Sequence, residues 1–224
     1  MSDDLTHPWA AELARRVCRY TVPKIVGICA FTSVFFIAYF YLLRHPVYPV
    51  TLMPLTALDR MLPFQPHALV AYVSLWIYIG CAPGLLVSLR ELLDYTLWMA
   101  ALCLAGLGCF YLWPTAVPSF GFEGGSHAGF ALLEGVDAPG NACPSLHVAT
   151  AMFTAIWVDY ELRTLQVPTV IRGLNGGWFL AIAYSTLAIK QHVTLDVLAG
   201  ALLGGLFAFA SLRWRQRQVI GHRP

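Results

Sequence analysis

Two short stretches hold the residues able to do chemistry. One reads Cys143-Pro144-Ser145-Leu146-His147; the other runs from Ser185-Thr186 through five residues to His192 and three more to Asp196. Everything around them is strongly apolar. A histidine and a carboxylate beside a membrane span are costly to keep unless they are used. On a helix, His192 and Asp196 sit at i and i+4, so both side chains leave one face and can bond to each other. Such a pair fixes the imidazole tautomer and raises its basicity, as a nucleophilic histidine requires. At the other stretch, Pro144 suits the start of a helix and Ser145 or a neighbour can cap it. Free backbone N–H groups and a positive dipole end then face outward, which suits phosphate. Lys190 adds a cation at the end of the following span. Two histidines, a lysine and a helix N-terminus at one membrane face point to phosphoryl transfer without metal.

The elements that must position these residues are transmembrane helices. The chain is 58% hydrophobic and 12% charged, with a mean hydropathy of +0.64, against roughly 25% charged in an ordinary soluble domain. Spans are expected at about 25–43, 68–89, 96–113, 145–158, 176–189 and 193–212; the first is long enough for a bilayer core of roughly 30 Å, the fourth rather short for a full crossing. Pro83 and Gly84 are expected to kink the second, and Arg90, Glu91 and Asp94 to form a tight turn after it. Residues 52–64 predict a short interfacial helix, 9–20 a helix on the membrane surface, and Asp159, Glu161, Arg163 and Arg172 a charged connector. The fold class is therefore all-α, a polytopic membrane protein with six transmembrane helices in a bundle.

Three regions follow: a basic juxtamembrane segment 1–24, a six-span catalytic domain 25–212 and a basic tail 213–224. Of the 14 lysines and arginines, all but Arg44, Arg60 and Lys190 fall at the termini and the even-numbered connections. The positive-inside rule then places both termini in the cytoplasm and the two histidines on the external face. That face lies opposite the cytoplasmic nucleotide pool, which argues against a kinase. The small net charge of +2 sits near span ends and argues against nucleic acid as a partner. Six cysteines without a C-x-x-C pair predict neither a disulfide framework nor a metal site.

These residues resemble the motifs of the type-2 phosphatidic acid phosphatase superfamily, which carries K-x6-R-P, then P-S-G-H, then S-R-x5-H-x3-D. Pro144-Ser145-Leu146-His147 looks like the second motif with leucine for glycine. Ser185-Thr186 through His192 and Asp196 matches the third at full spacing, with Thr186 for arginine. The chain is similar, more narrowly, to inositol phosphorylceramide synthases and related bacterial membrane proteins. That branch tends to read P-S-L-H-V after an Asp-x-Pro-x-Asn stretch, here Asp137, Pro139 and Asn141, and the segment Leu58-Asp59 to Pro63-Phe64 is also similar. The first motif's lysine and arginine have no counterpart near Trp113–Ser119, so the arginine clamp on phosphate is missing.

The resemblance implies roles residue by residue. His192 is the expected nucleophile and forms a phosphohistidine, Asp196 orients it, and His147 acts as general acid and then base. Ser145, Leu146, Lys190, Asn141 and Asp137 are expected on the substrate. No cofactor is implied, and the partners are a lipid phosphate or phospholipid and the surrounding membrane lipids. The implied location is a bacterial inner (plasma) membrane with a periplasmic site. Water as acceptor makes a lipid phosphate phosphatase acting on phosphatidate-like or polyprenyl phosphates; a lipid alcohol makes a head-group transferase. A catalytically silent lipid-binding relative is the alternative from another class, motivated by the missing arginines and opposed by His147, His192 and Asp196.

Overall fold

The computed structural model describes residues 8–119 and 140–221, so Asp137 lies outside the described residues. Helix α1 (Pro8–Cys18) opens on a proline at its first turn and ends on Arg15 and Arg16. Tyr20, in the left-handed conformation, turns the chain into α2 (Thr21–Arg44). After a two-residue strand β1 (Thr51–Leu52) comes α3 (Ala57–Met61), closed by a capping box in which Thr56 and Asp59 bond reciprocally. A 3-10 turn (Pro66–Ala68) leads into α4 (Leu69–Val73), α5 (Leu75–Tyr78) and α6 (Cys81–Leu85). Then follow α7 (Leu89–Leu112), β2 (Thr115–Ala116), α8 (Leu146–Thr164), α9 (Thr169–Ala188) and α10 (Thr194–Gly221).

Among the described residues, three helices are long and apolar enough to cross a membrane: Thr21–Arg44, Leu89–Leu112 and Thr194–Gln218. Six spans were expected, and the difference has identifiable causes. The expected second span is a run of short helices, joined at Ser74 and at Ile79-Gly80 by residues that keep right-handed helical angles while the hydrogen-bonding pattern tightens. In α8 and α9 the polar residues Asp159, Glu161, Arg172 and Asn175 lie inside the helix rather than in a connector. Arg90, Glu91 and Asp94 likewise belong to the first turns of α7 instead of a tight turn. Ser88 caps that helix by accepting from the Glu91 N–H, and the Glu91 carboxylate takes the Val87 N–H. The stretch 52–64 is a strand end and a five-residue helix, not one interfacial helix.

Helix α8 is buried or half-buried from Leu146 to Leu162, as the central helix of a bundle should be. Its Phe153 and Trp157 pack with Leu86, Tyr95 and Leu102 in the main core, against α6, α7 and α10. Two glycines on α10 bring it hard against α8. A Cβ at Gly200 would stand 2.3 Å from the Ser145 carbonyl oxygen, and one at Gly204 2.2 Å from that of Ala149. Small residues four apart allow this backbone approach.

Two different constructions close the two ends of α8. At its N-terminal end β1 pairs in parallel with β2, Thr115 bridges to Asn141, and the Cys143 N–H bonds the Thr115 hydroxyl at 2.8 Å. At its other end Glu161, 2% exposed, accepts from Arg16 of α1 at 2.8 Å and from Arg215 of α10 at 2.6 Å. Arg215 also reaches Glu91 of α7 at 2.8 Å and lies over the Trp157 ring. His147 and Glu161 are thus separated by about 21 Å along one helix.

Candidate active site

Ser145 caps α8, its hydroxyl accepting the Val148 N–H at 3.3 Å. As first-turn residues, Leu146 and His147 have N–H groups with no carbonyl inside the helix to bond. The Leu146 side chain turns away to pack on Gly106 of α7, so what Leu146 offers to a ligand is its backbone N–H. The Ser145 N–H donates to the Asp196 carbonyl at 3.0 Å, a direct link between the two motifs.

His147 is held by aromatic rings that sequence reasoning did not single out. Tyr72 stacks on its imidazole at 4.0 Å and 13°, and Trp76 meets it edge-on at 5.8 Å. Both rings come from the α4–α5 region, which periodicity shows only as apolar.

The second motif is shaped by the end of α9. Lys190 takes the left-handed conformation, φ 62°, and its N–H bonds the Leu187 carbonyl while the Gln191 N–H returns to Thr186. This is a Schellman ending with lysine at the place glycine usually fills. The His192 N–H also bonds the Thr186 carbonyl, so His192 stands in the turn before α10 rather than on the helix with Asp196. Asp196 reaches back over the helix start: one carboxylate oxygen accepts the Val193 N–H at 3.0 Å and lies 3.5 Å from His192 Nδ1. The expected pairing of the two side chains arises by this backward reach, not from one helical face.

Among the described residues, the buried side-chain polar atoms left without a hydrogen-bond partner are His147 Nε2, His192 Nδ1 and Asp196 Oδ1. Buried polar atoms are nearly always paired, so an unpaired set calls for an explanation. The two imidazoles are near enough to interact electrostatically. The Cys143 thiol is pushed up to about 12 by burial and by the neighbouring Asp196 carboxylate, so it stays protonated.

The remaining expected site residues have structural work. The Lys190 ammonium donates to the carbonyls of Asp59 at 2.9 Å and Leu62 at 2.6 Å. Burial holds its pKa below the usual lysine value, against the pull of Asp59. The Asn141 amide donates to the Tyr39 carbonyl at 3.1 Å and pins the loop to α2. Among the described residues, no three histidine, cysteine, aspartate or glutamate side chains stand together as metal ligands.

No curated protein and no solved structure matches the chain. The family model of the PAP2 superfamily, however, matches residues 91–220, more than half of the chain and including both histidine motifs. Members of that superfamily are generally phosphatases or phosphotransferases. With its histidine motifs brought together at the head of α8 and three helices fit to cross a membrane, this chain belongs to the PAP2 superfamily.

Proposed function

We propose that the protein is a membrane lipid phosphate phosphatase that works through a phosphohistidine on His192 and needs no metal. The observation that carries this reading is that the three orphaned buried atoms fall on His147, His192 and Asp196. With His192 Nδ1 turned to Asp196, its Nε2 is the nucleophile. Nε2 attacks phosphorus as the bond to the lipid oxygen breaks, and His147 Nε2 gives its proton to the leaving alkoxide. His147 then takes a proton from water, whose oxygen breaks the P–N bond and releases phosphate. Asp196 balances the charge that His192 gains on attack. The first-turn N–H groups of α8 and its dipole hold the non-bridging oxygens in place of an arginine clamp. Lys190 supplies positive charge at the rim while its hydrogen bonds brace α3.

The test is product analysis on purified protein in lipid micelles with chelator present. Phosphatidate and a polyprenyl phosphate are each offered with and without diacylglycerol or ceramide. Free phosphate that disappears in His192→Ala is the expected result. A new phospholipid formed only with the lipid alcohol would make the protein a transferase instead. Turnover that survives His192→Ala would remove the phosphohistidine.

A further inference from the structure

The start of α10 is capped from outside the superfamily match. Its first helical N–H, that of Thr194, donates to the Asp59 carboxylate at 2.8 Å, and the Thr194 hydroxyl donates to the same oxygen at 2.7 Å. The other Asp59 oxygen accepts the Thr56 N–H at 2.7 Å and lies 2.8 Å from the Thr56 hydroxyl. Asp59 is 4% exposed. On the far side of His192, the Lys190 ammonium grips the carbonyls of Asp59 and Leu62. The Gln65 N–H adds a bond to the Ala188 carbonyl at 2.9 Å. Residues 190 and 194 are therefore both fastened to α3, and His192 is the midpoint of the span between them.

From this geometry we infer that Asp59 is a positioning residue for His192: it caps α10 in trans and fixes the turn that aims the imidazole. The inference rests on the reading of His192 as nucleophile, and it adds a residue about 130 positions away in sequence that touches neither substrate nor reacting atoms. Thr194 lies two residues from both His192 and Asp196, so a shift of its N–H moves the pair together. Asparagine cannot substitute. Each carboxylate oxygen faces a backbone N–H, so whichever way the amide turns its NH₂ opposes a donor.

The experiment compares Asp59→Asn, Thr194→Val and Thr194→Ser with the parent in steady-state phosphate release, alongside ¹⁵N-histidine NMR of the detergent-solubilised protein with His192 assigned by His192→Gln. In Asp59→Asn and Thr194→Val we expect kcat to fall by about 10- to 100-fold with KM held within about threefold, the scale of a misplaced reacting group. Thr194→Ser should stay near the parent, and the His192 ring signal should move in the first two variants only. Asp59→Asn that is folded, with parental kcat and an unmoved His192 signal, would overturn the inference. Should Asp59→Asn not fold, Thr194→Val decides alone by the same two readouts. Parental activity in His192→Ala would instead sink the nucleophile reading, and the His192 signal in Asp59→Asn would still decide the positioning.

Discussion

His147 sits where two kinds of force meet it, stacking from Tyr72 and the edge of Trp76. An imidazolium over a tyrosine face is stabilised by about 0.5–2 kcal/mol, and His147 carries a proton for half of the proposed cycle. Tyr72→Leu should therefore lower kcat by roughly 2- to 30-fold, and a pH–rate profile should show the alkaline limb, where His147 loses its proton, moving to lower pH. Removing the acid itself, in His147→Ala, should cost about 10²–10⁴-fold in kcat, partly recovered with a lipid phosphate whose leaving group needs no proton. At this scale the proposed trio was legible because His147, His192 and Asp196 carry side chains that an apolar bundle does not tolerate idly. Tyr72 and Trp76 were not, since aromatic residues in an apolar stretch have too many other uses. Asp59 had a local signal, the Thr56-x-x-Asp59 capping pattern, but nothing in the sequence shows that its second oxygen bonds Thr194.

At the scale of elements, the site depends on how closely α10 lies against α8. Gly200→Val should place a branched side chain into the Ser145 carbonyl and destabilise the protein by about 1–3 kcal/mol, the range of an overpacked interior. Gly205→Ala meets nothing within 4 Å and should be neutral or slightly stabilising through helix propensity. Thermal unfolding in detergent distinguishes the two, and phosphate release should follow the same order. The Gly200-x-x-x-Gly204 spacing was not singled out in the sequence, since nothing there shows which helix it would meet. Element boundaries were less legible. Glu91, Asp159 and Glu161 read as connector residues because charge usually marks an exit from the bilayer, whereas here ion pairs and caps let the helices continue through them.

For the molecule as a whole, acid should act through Asp59. Burial alone would raise its carboxyl, but hydrogen bonds from Thr56 and Thr194 outweigh that and hold it below the usual carboxylate range. A carboxyl lowered by folding stabilises above its unfolded value, about 3.9, and that contribution fades as pH falls through the lower folded value. Unfolding temperature should thus decline at acid pH, and Asp59→Asn should flatten part of the decline. At the opposite end, Glu161→Leu removes a shared partner from Arg16, which keeps Glu12, and from Arg215, which keeps Glu91, and should cost about 1.5–3 kcal/mol. Cleavage within α1 by added protease is the readout, since the Arg16–Glu161 pair joins that helix to α8 beside the packing of Trp9 and Leu13 on the core. The link from the Ser145 N–H to the Asp196 carbonyl has a consequence for biosynthesis. During translation α8 is complete about 30 residues before Asp196 exists, and α10 follows it. The nascent chain therefore holds α8 in place before the His192–Asp196 pair exists, and the proposed site can assemble only once α10 docks against α8.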